Sequence, residues 1–295
     1  FNNEQVYCRA VEKLMGLEVS DRSEYIRVIL CELNRVASHM LFIATMGLDA
    51  GAMTPSMFCF RGRERIQGLF ESVSGARMMH NYFRIGGLKE DVPDDFVQQV
   101  REVLELVKKD TEESDKLLSF NEIFLARLKN VAVMSAEDAI DYGLTGPCLR
   151  ASGVDYDVRK AAPYSVYDRF DFDVPIGLDG DCWDRYYLRV QEIYQSIRIV
   201  EQALDQLPEG EVVSSLGRRL IRPPAGEVYV RAENPRGEIG VYLISDGTDK
   251  PHRIKVRPPS FCNLSALRHM MKDAWIADSV IILGALDIVL GEVDR

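Results

Sequence analysis

Residues 22–46 read RSEYIRVILCELNRVASHMLFIATM, and no other stretch constrains the fold as strongly. A helix drawn through it is apolar over more than half of its circumference. Such a helix has to be covered on several sides by other elements rather than lie on a surface. Asp21, with Glu24 three residues later, reads as the N-cap and capping box that start it, and the pattern runs to about Met46. The same stretch carries Arg27, Glu32, Arg35 and His39, in steps of five, three and four that put most of them on one face. Charged groups on so apolar a helix read as a buried ion-pair ladder that ties helices together, or as part of a site.

The rest of the first two-thirds is also helical by pattern. Residues 3–15 place Val6, Ala10, Val11 and Leu14 on one face. Thr54-Pro55 opens a helix through about Ser74, with proline at its start. The Gly pair at 86–87 breaks the chain. A polar amphipathic helix, dense in Glu and Lys and expected to face solvent, runs from Asp94 to about Leu118, a short capped one ends at Gly143, and a long one covers 181–207. Residues 144–180 carry Gly, Pro and Asp with little periodicity and read as a long ordered loop. After Pro208 the texture alternates between apolar and polar residues, which predicts a small antiparallel sheet over 226–258. Helices at about 263–271 and 274–286 follow.

Composition narrows the function. The 46 acidic residues against 36 basic ones give a net charge of -10, a poor surface for phosphate recognition, so nucleic acid is not an expected partner. The most apolar windows, 36–53 and 276–291, each contain a His or Asp and fall short of the ~20 clean residues of a membrane span. The six cysteines include no Cys-x-x-Cys pair and read as structural thiols. There is no Gly-rich phosphate loop and no His-Glu-x-x-His. Each of the four histidines stands alone. The chain begins at Phe1 without Met and is expected to be a piece of a longer product.

Three features carry chemistry. The helix ladder is one. Asp49 is the second: it follows the apolar helix among small and apolar residues, where poor solvation raises a carboxyl and suits proton transfer. Its other reading is a cap for the Thr54 helix. The third is residues 149–175, LRASGVDYDVRKAAPYSVYDRFDFDVP, dense in charges and tyrosines. That density fits an interface or a site wall, and a solvated loop explains it too. The tail adds a question of its own, because DIVLGEVDR puts Asp287 inside an apolar run.

The ordered set NEQVYCRAVEKL, EYIRVILCELNRVASH, LDAGAMTP, ARMMHNYFRIGG, AIDYGLTG, LRASGVDYDVRK, GDCWDRY, PRGEIGVYLISDG and DIVLGEVDR spans almost the whole chain. It closely resembles the 49-kDa subunit family (the bacterial D subunit) of the proton-pumping NADH-quinone oxidoreductase, respiratory complex I. That family is similar to the large subunit of nickel-iron hydrogenases. The resemblance implies a mainly α fold: a multi-helix bundle with a small antiparallel β-sheet near the C-terminus, nickel-iron hydrogenase large-subunit-like. It implies one domain over 1–295, with helices in 1–207, a linker at 208–225, the sheet at 226–258 and closing helices in 263–295. The N-terminal region of the family, with its quinone-site His and Tyr, is expected to precede Phe1, so the isolated chain is expected to be inactive.

Hydrogenase large subunits end in Asp-Pro-Cys-x-x-Cys. Against that pattern Asp287 matches the Asp, while Val289 and Glu292 stand where the metal-binding cysteines would be. The resemblance therefore implies no metal in this chain and an apolar pocket that takes the quinone headgroup. It makes Asp49 the carboxylate that partners the quinone-site histidine. Leu41 and Thr45 line the cavity from the same helix face, and Val289 and Leu290 form the opposite wall. Met79 stands where many members have a His beside the cluster, and His80 follows it. Quinone is the substrate, and no cofactor is bound by this chain alone. A 4Fe-4S cluster sits in the neighbouring, cluster-bearing B subunit, and FMN lies elsewhere in the complex. The C subunit and the membrane H subunit are further partners. The implied place is peripheral, on the cytoplasmic side of the cell inner membrane, with membrane contact through partner subunits. The competing class is a structural subunit of a related quinone-reducing dehydrogenase or a hydrogenase-type complex.

Overall fold

The computed structural model describes residues 1–212 and 221–294. Helix α1 (Asn2–Met15) leads into α2 (Asp21–Asp49), the long apolar helix. Its N-cap is Ser20, not Asp21: Ser20 is extended, and its Oγ accepts from the Ser23 N–H at 3.3 Å. Asp21 is instead the first helical residue, where a carboxylate favours the helix dipole. Glu24, expected to close the capping box, turns to Arg27 at 3.1 Å. By length and composition α2 is apolar enough to cross a membrane, yet 78% of its apolar window is buried by this chain. Its composition is that of a core helix. Ile29, Leu30, Leu33 and Val36 are fully buried, each contributing about 1.5–3 kcal/mol.

Helix α3 (Thr54–Ser74) carries Pro55 in its first turn. A two-residue hairpin, β1 (Phe83–Arg84) and β2 (Gly87–Leu88), forms at the glycine pair, where the sequence predicts only a break. Helix α4 (Phe96–Leu118) is not simply solvent-facing, because Phe96, Val100, Leu104 and Val107 form a buried stripe. Short helices α5 (Glu122–Leu128), α6 (Ala136–Asp141), α7 (Pro147–Ala151) and α8 (Val158–Ala161) precede the long α9 (Cys182–Asp205). Helices α2, α3, α4 and α9 pack as a group, with α2 in widest contact with α3 and α9. Much of the expected linker at 208–225 lies outside the described residues.

Strands β3 (Gly226–Asn234), β4 (Gly237–Ser245) and β5 (Arg253–Arg257) form the expected antiparallel sheet in the order β3-β4-β5. Val228, Val230 and Ala232 sit opposite Leu243, Val241 and Ile239 on its buried face, next to α1. The chain then closes in short pieces rather than two helices: α10 (Pro259–Leu264), α11 (Leu267–Met270), α12 (Ser279–Leu286) and α13 (Leu290–Val293). Asp273 and Asp287 take left-handed backbone at two of the breaks.

The ion-pair ladder is real and larger than the sequence indicates. Arg27 donates to Glu12 at 2.7 Å and to the Gly87 carbonyl at 3.0 Å, joining α1 and the hairpin to α2. Glu32 accepts from Arg35 Nε at 3.1 Å, Arg159 Nη1 at 3.1 Å, Tyr167 Oη at 2.7 Å and Ser196 Oγ at 2.7 Å. Burial pushes the Glu32 carboxyl up, but the two guanidiniums and the hydroxyl donors outweigh it and hold it at about 2. His39 Nε2 lies 2.8 Å from Glu192 Oε2, and burial keeps the imidazole below its usual value despite that carboxylate. Arg150 joins Glu192 at 2.6 Å to Glu233 at 2.9 Å. The 149–175 segment is therefore no solvated loop: Arg150, Asp157, Arg159, Tyr164 and Tyr167 are all buried. Breaking one such pair costs about 3–5 kcal/mol, because it strands the other charge. Five cysteines are buried free thiols and Cys262 is half-buried. Burial pushes Cys8 and Cys31 up to about 12, away from thiolate chemistry.

Candidate functional site

A cavity of about 510 Å³ lies between α2 and α3, where the first residues of the chain approach its C-terminal tail. Helical spacing builds both of its long walls. Asn34, Ser38 and Leu41 present one face of α2, and Arg63, Gln67 and Phe70 present one face of α3. Residues 78–80 close one side. The turn Asn234–Arg236, Val289 and Glu292 close another.

Specific bonds hold each of these pieces. Arg35, buried in α2, donates to the Asn234 carbonyl at 2.9 Å and the Glu233 carbonyl at 2.7 Å, which fixes the β3–β4 turn. From that turn Arg236 reaches Ser38 Oγ at 2.9 Å. Asn34 Nδ2 donates to Asn2 Oδ1 at 2.7 Å. His80 stacks on the Phe1 ring with centroids 4.1 Å apart, its Nδ1 3.0 Å from the Ala76 carbonyl. Burial holds that imidazole below its usual value. In the tail, Ser260 Oγ accepts from the Val289 N–H at 3.3 Å, and the Glu292 carboxylate accepts from the Ser260 N–H at 3.2 Å and from its hydroxyl.

Of the residues singled out in the sequence, the cavity brings together Leu41, Met79, His80 and Val289. Thr45 and Asp49 continue the Leu41 face along α2 but stand beyond the cavity lining and are exposed. The Thr45 hydroxyl turns back to the Leu41 and Phe42 carbonyls, each at 3.1 Å. Asp49 is not a helix cap, since the cap position of α3 is Met53 and no side chain accepts there. It sits against α12 instead: a Cβ added at Gly284 would lie 3.4 Å from Asp49 Oδ2. Desolvation raises its carboxyl above the usual value even though part of it meets solvent. Leu290 is 70% exposed and outside the lining.

Sequence reasoning misses Arg63, Gln67 and Arg236. Arg63 and Gln67 carry a signal, a four-residue step in line with Phe70, but the same step marks any amphipathic helix. Among the described residues, no group of three or more His, Cys, Asp or Glu side chains is placed to hold a metal ion.

The family model for the respiratory-chain NADH dehydrogenase 49-kDa subunit matches residues 49–219 and 214–295. A protein of Desulforamulus reducens, named as the D subunit of NADH-quinone oxidoreductase, is 50% identical over 288 residues, covering 98% of this chain and 78% of that one. The Bacillus mycoides protein of the same name is 50% identical over 292 residues, 99% of this chain and 80% of its own. The protein so named in Carboxydothermus hydrogenoformans is 48% identical over 288 residues, 98% of this chain and 79% of its own.

Proposed function

Because this chain belongs to the 49-kDa subunit family of the respiratory-chain NADH dehydrogenase, we propose that it forms one wall of the quinone chamber in a proton-translocating NADH-quinone oxidoreductase. One observation carries this reading. Leu41 on α2 and Val289 in the tail, far apart in sequence, line the same cavity together with Met79 and His80. The cavity has the size and mixed lining of a small-molecule site. Its aliphatic and aromatic walls suit a flat ring, and its amides and guanidiniums suit the ring's oxygens.

The chemistry needs two electrons and two protons. The electrons come from a 4Fe-4S cluster in the neighbouring B subunit, fed through FMN and NADH elsewhere in the complex. This chain contributes shape, hydrogen bonds and an acid. Asp49 lies on the Leu41 face, and its partly desolvated carboxyl binds a proton more readily than an ordinary aspartate. In the assembly it relays protons to the quinone site. The fold is read as nickel-iron hydrogenase large-subunit-like, with Val289 and Glu292 in place of the metal-binding thiolates. Trp275 and Ile276 are 81% and 92% exposed. Large apolar side chains left this open support contacts with partner subunits, the C and H subunits among them. In this reading the chain works at the cytoplasmic side of the inner membrane, held there by its partners.

The test is quinone reduction by the full assembly carrying Asp49→Asn, with an artificial electron acceptor as control. A steep fall in quinone reduction, with the artificial acceptor still reduced, is expected. Two unchanged rates would remove Asp49 from the quinone site.

A further inference from the structure

Three guanidiniums line the cavity, and two are already neutralised. Arg77 pairs with Glu64 at 2.6 Å and Glu71 at 3.3 Å. Arg236 pairs with Asp287 at 3.0 Å. Arg63 differs. It is half-buried in the α3 wall, and among the described residues it makes no ion pair and donates no hydrogen bond. Its Nε is buried without an acceptor. Burial and the neighbouring Arg77 both oppose its charge, which only Glu64 nearby favours. The unsatisfied Nε–H carries a cost, and the terminal nitrogens, which are not buried, are open to an acceptor.

The surroundings indicate what that acceptor is. Gln67 and Phe70 follow Arg63 on the same helix face, and Leu41 and Val289 add aliphatic surface. A fork of N–H donors beside an aromatic ring and aliphatic walls matches a flat, uncharged ring that carries oxygen acceptors. Resting on the quinone-chamber reading, we propose that Arg63 binds the quinone headgroup, its guanidinium donating to a carbonyl oxygen. Reduction to the quinol adds two electrons from the iron-sulfur donor and two protons from acids such as Asp49. Arg63 supplies neither. It keeps its protons and stabilises the oxygen as negative charge builds there.

The experiment uses the assembled complex with Arg63→Gln and Arg63→Lys, and reads KM and kcat for a short-chain quinone. Reduction of an artificial acceptor serves as the upstream control. Leu41→Phe, which fills the cavity, tests the chamber itself. Loss of a charged hydrogen bond to the substrate is expected to raise KM about tenfold or more in Arg63→Gln. Arg63→Lys should recover part of this, since a point charge still reaches the oxygen. If Leu41→Phe raises KM and Arg63→Gln does not, Arg63 is no headgroup residue while the chamber reading stands. If neither variant moves KM, the chamber reading fails and takes this proposal with it. If Arg63→Gln lowers the yield of assembled complex but leaves the KM of the remainder unchanged, Arg63 pairs with a partner subunit's carboxylate, and the headgroup role is overturned.

Discussion

Arg236 holds Asp287 twice, its Nε donating to the Asp287 carbonyl at 2.8 Å and its Nη2 to Oδ1 at 3.0 Å. Its remaining nitrogen reaches Ser38 Oγ. One guanidinium thereby joins the β3–β4 turn, α2 and the C-terminal tail, the three elements that bring Leu41 and Val289 to one cavity. The carboxylate inside the apolar tail is thus an anchor for the tail.

Arg236→Gln is therefore expected to release the tail. Charge-assisted bonds of this kind contribute about 1.5–3 kcal/mol each. Protease cleavage beyond α12 should become several-fold faster than in the parent. Arg236→Lys should not restore protection, because an ammonium cannot serve three acceptors in a fixed fork. Full protection in the lysine variant would mean that charge alone holds the tail.

A second prediction concerns two glycines. A Cβ added at Gly146 would lie 2.4 Å from Gly237 Cα, and one added at Gly237 would lie 2.7 Å from Gly146 N. Both residues have positive φ, 62° and 127°, which side chains rarely adopt. The α7 entrance and the β3–β4 turn touch backbone to backbone here. Gly146→Ala and Gly237→Ala should each cost at least about 3 kcal/mol, since in both cases the added Cβ meets backbone atoms that cannot turn away. Thermal unfolding of the purified assembly would show a lowered midpoint for this subunit. An unchanged midpoint would mean that the two backbones separate easily.

Glu4 supports the loop at the cavity rim. Its carboxylate accepts the N–H groups of Asn81 at 2.6 Å, Tyr82 at 3.1 Å and Phe83 at 3.1 Å. Met79 and Asn81 in that loop hold positive φ, a strain that persists only where the surroundings fix it. Glu4→Ala should free the loop, so that trypsin cuts after the exposed Arg77 several-fold faster. Glu4→Gln should be intermediate, because an amide oxygen accepts but carries no charge. Equal cleavage of all three forms would show that the loop is held from elsewhere.

How much of this is legible in the sequence depends on range. The burial of α2 is legible because its apolar residues surround the helix axis. The sheet is legible because alternation is a local signal. The loop content of 144–180 is legible too, but its burial is not, for a long-range reason. Arg150 and Arg159 are charged in any local window; Asp157 offsets part of the cost of burying them, and Glu192, Glu233 and Glu32, distant in sequence, offset the rest. Within the candidate site, the Leu41 face can be followed along one helix. The roles of Arg63 and Arg236 cannot, because each depends on which carboxylates the fold brings within bonding distance. For Arg236 that is Asp287, and for Arg63 there is none among the described residues.

The last prediction concerns pH. Glu233 is fully buried, with Arg150 at 2.9 Å, Asp157 sharing that guanidinium at 3.5 Å, and Arg35 and Arg159 close by. Burial pushes its carboxyl up, the Asp157 charge pushes it further, and the guanidiniums do not compensate. It stands at about 7 against an ordinary 4.5. Folding then favours the protonated form. The stability this supplies is complete below 4.5 and is lost as pH rises through about 7. Glu32, held at about 2, acts in the opposite sense: its contribution is present above 4.5 and is lost as pH falls toward 2. Between about pH 5 and pH 8 Glu233 lowers stability as pH rises, while His39 and His80, held below their usual value, act in the opposite sense, so the Glu233 decline is read as the difference between parent and variant. Glu233→Gln mimics the protonated acid and should flatten the decline while leaving the acid-side loss intact. The measurement is the unfolding midpoint of this subunit in the assembly at both pH values, parent against variant. Identical slopes would mean that Glu233 is ionised throughout and that Arg150 alone balances the pair.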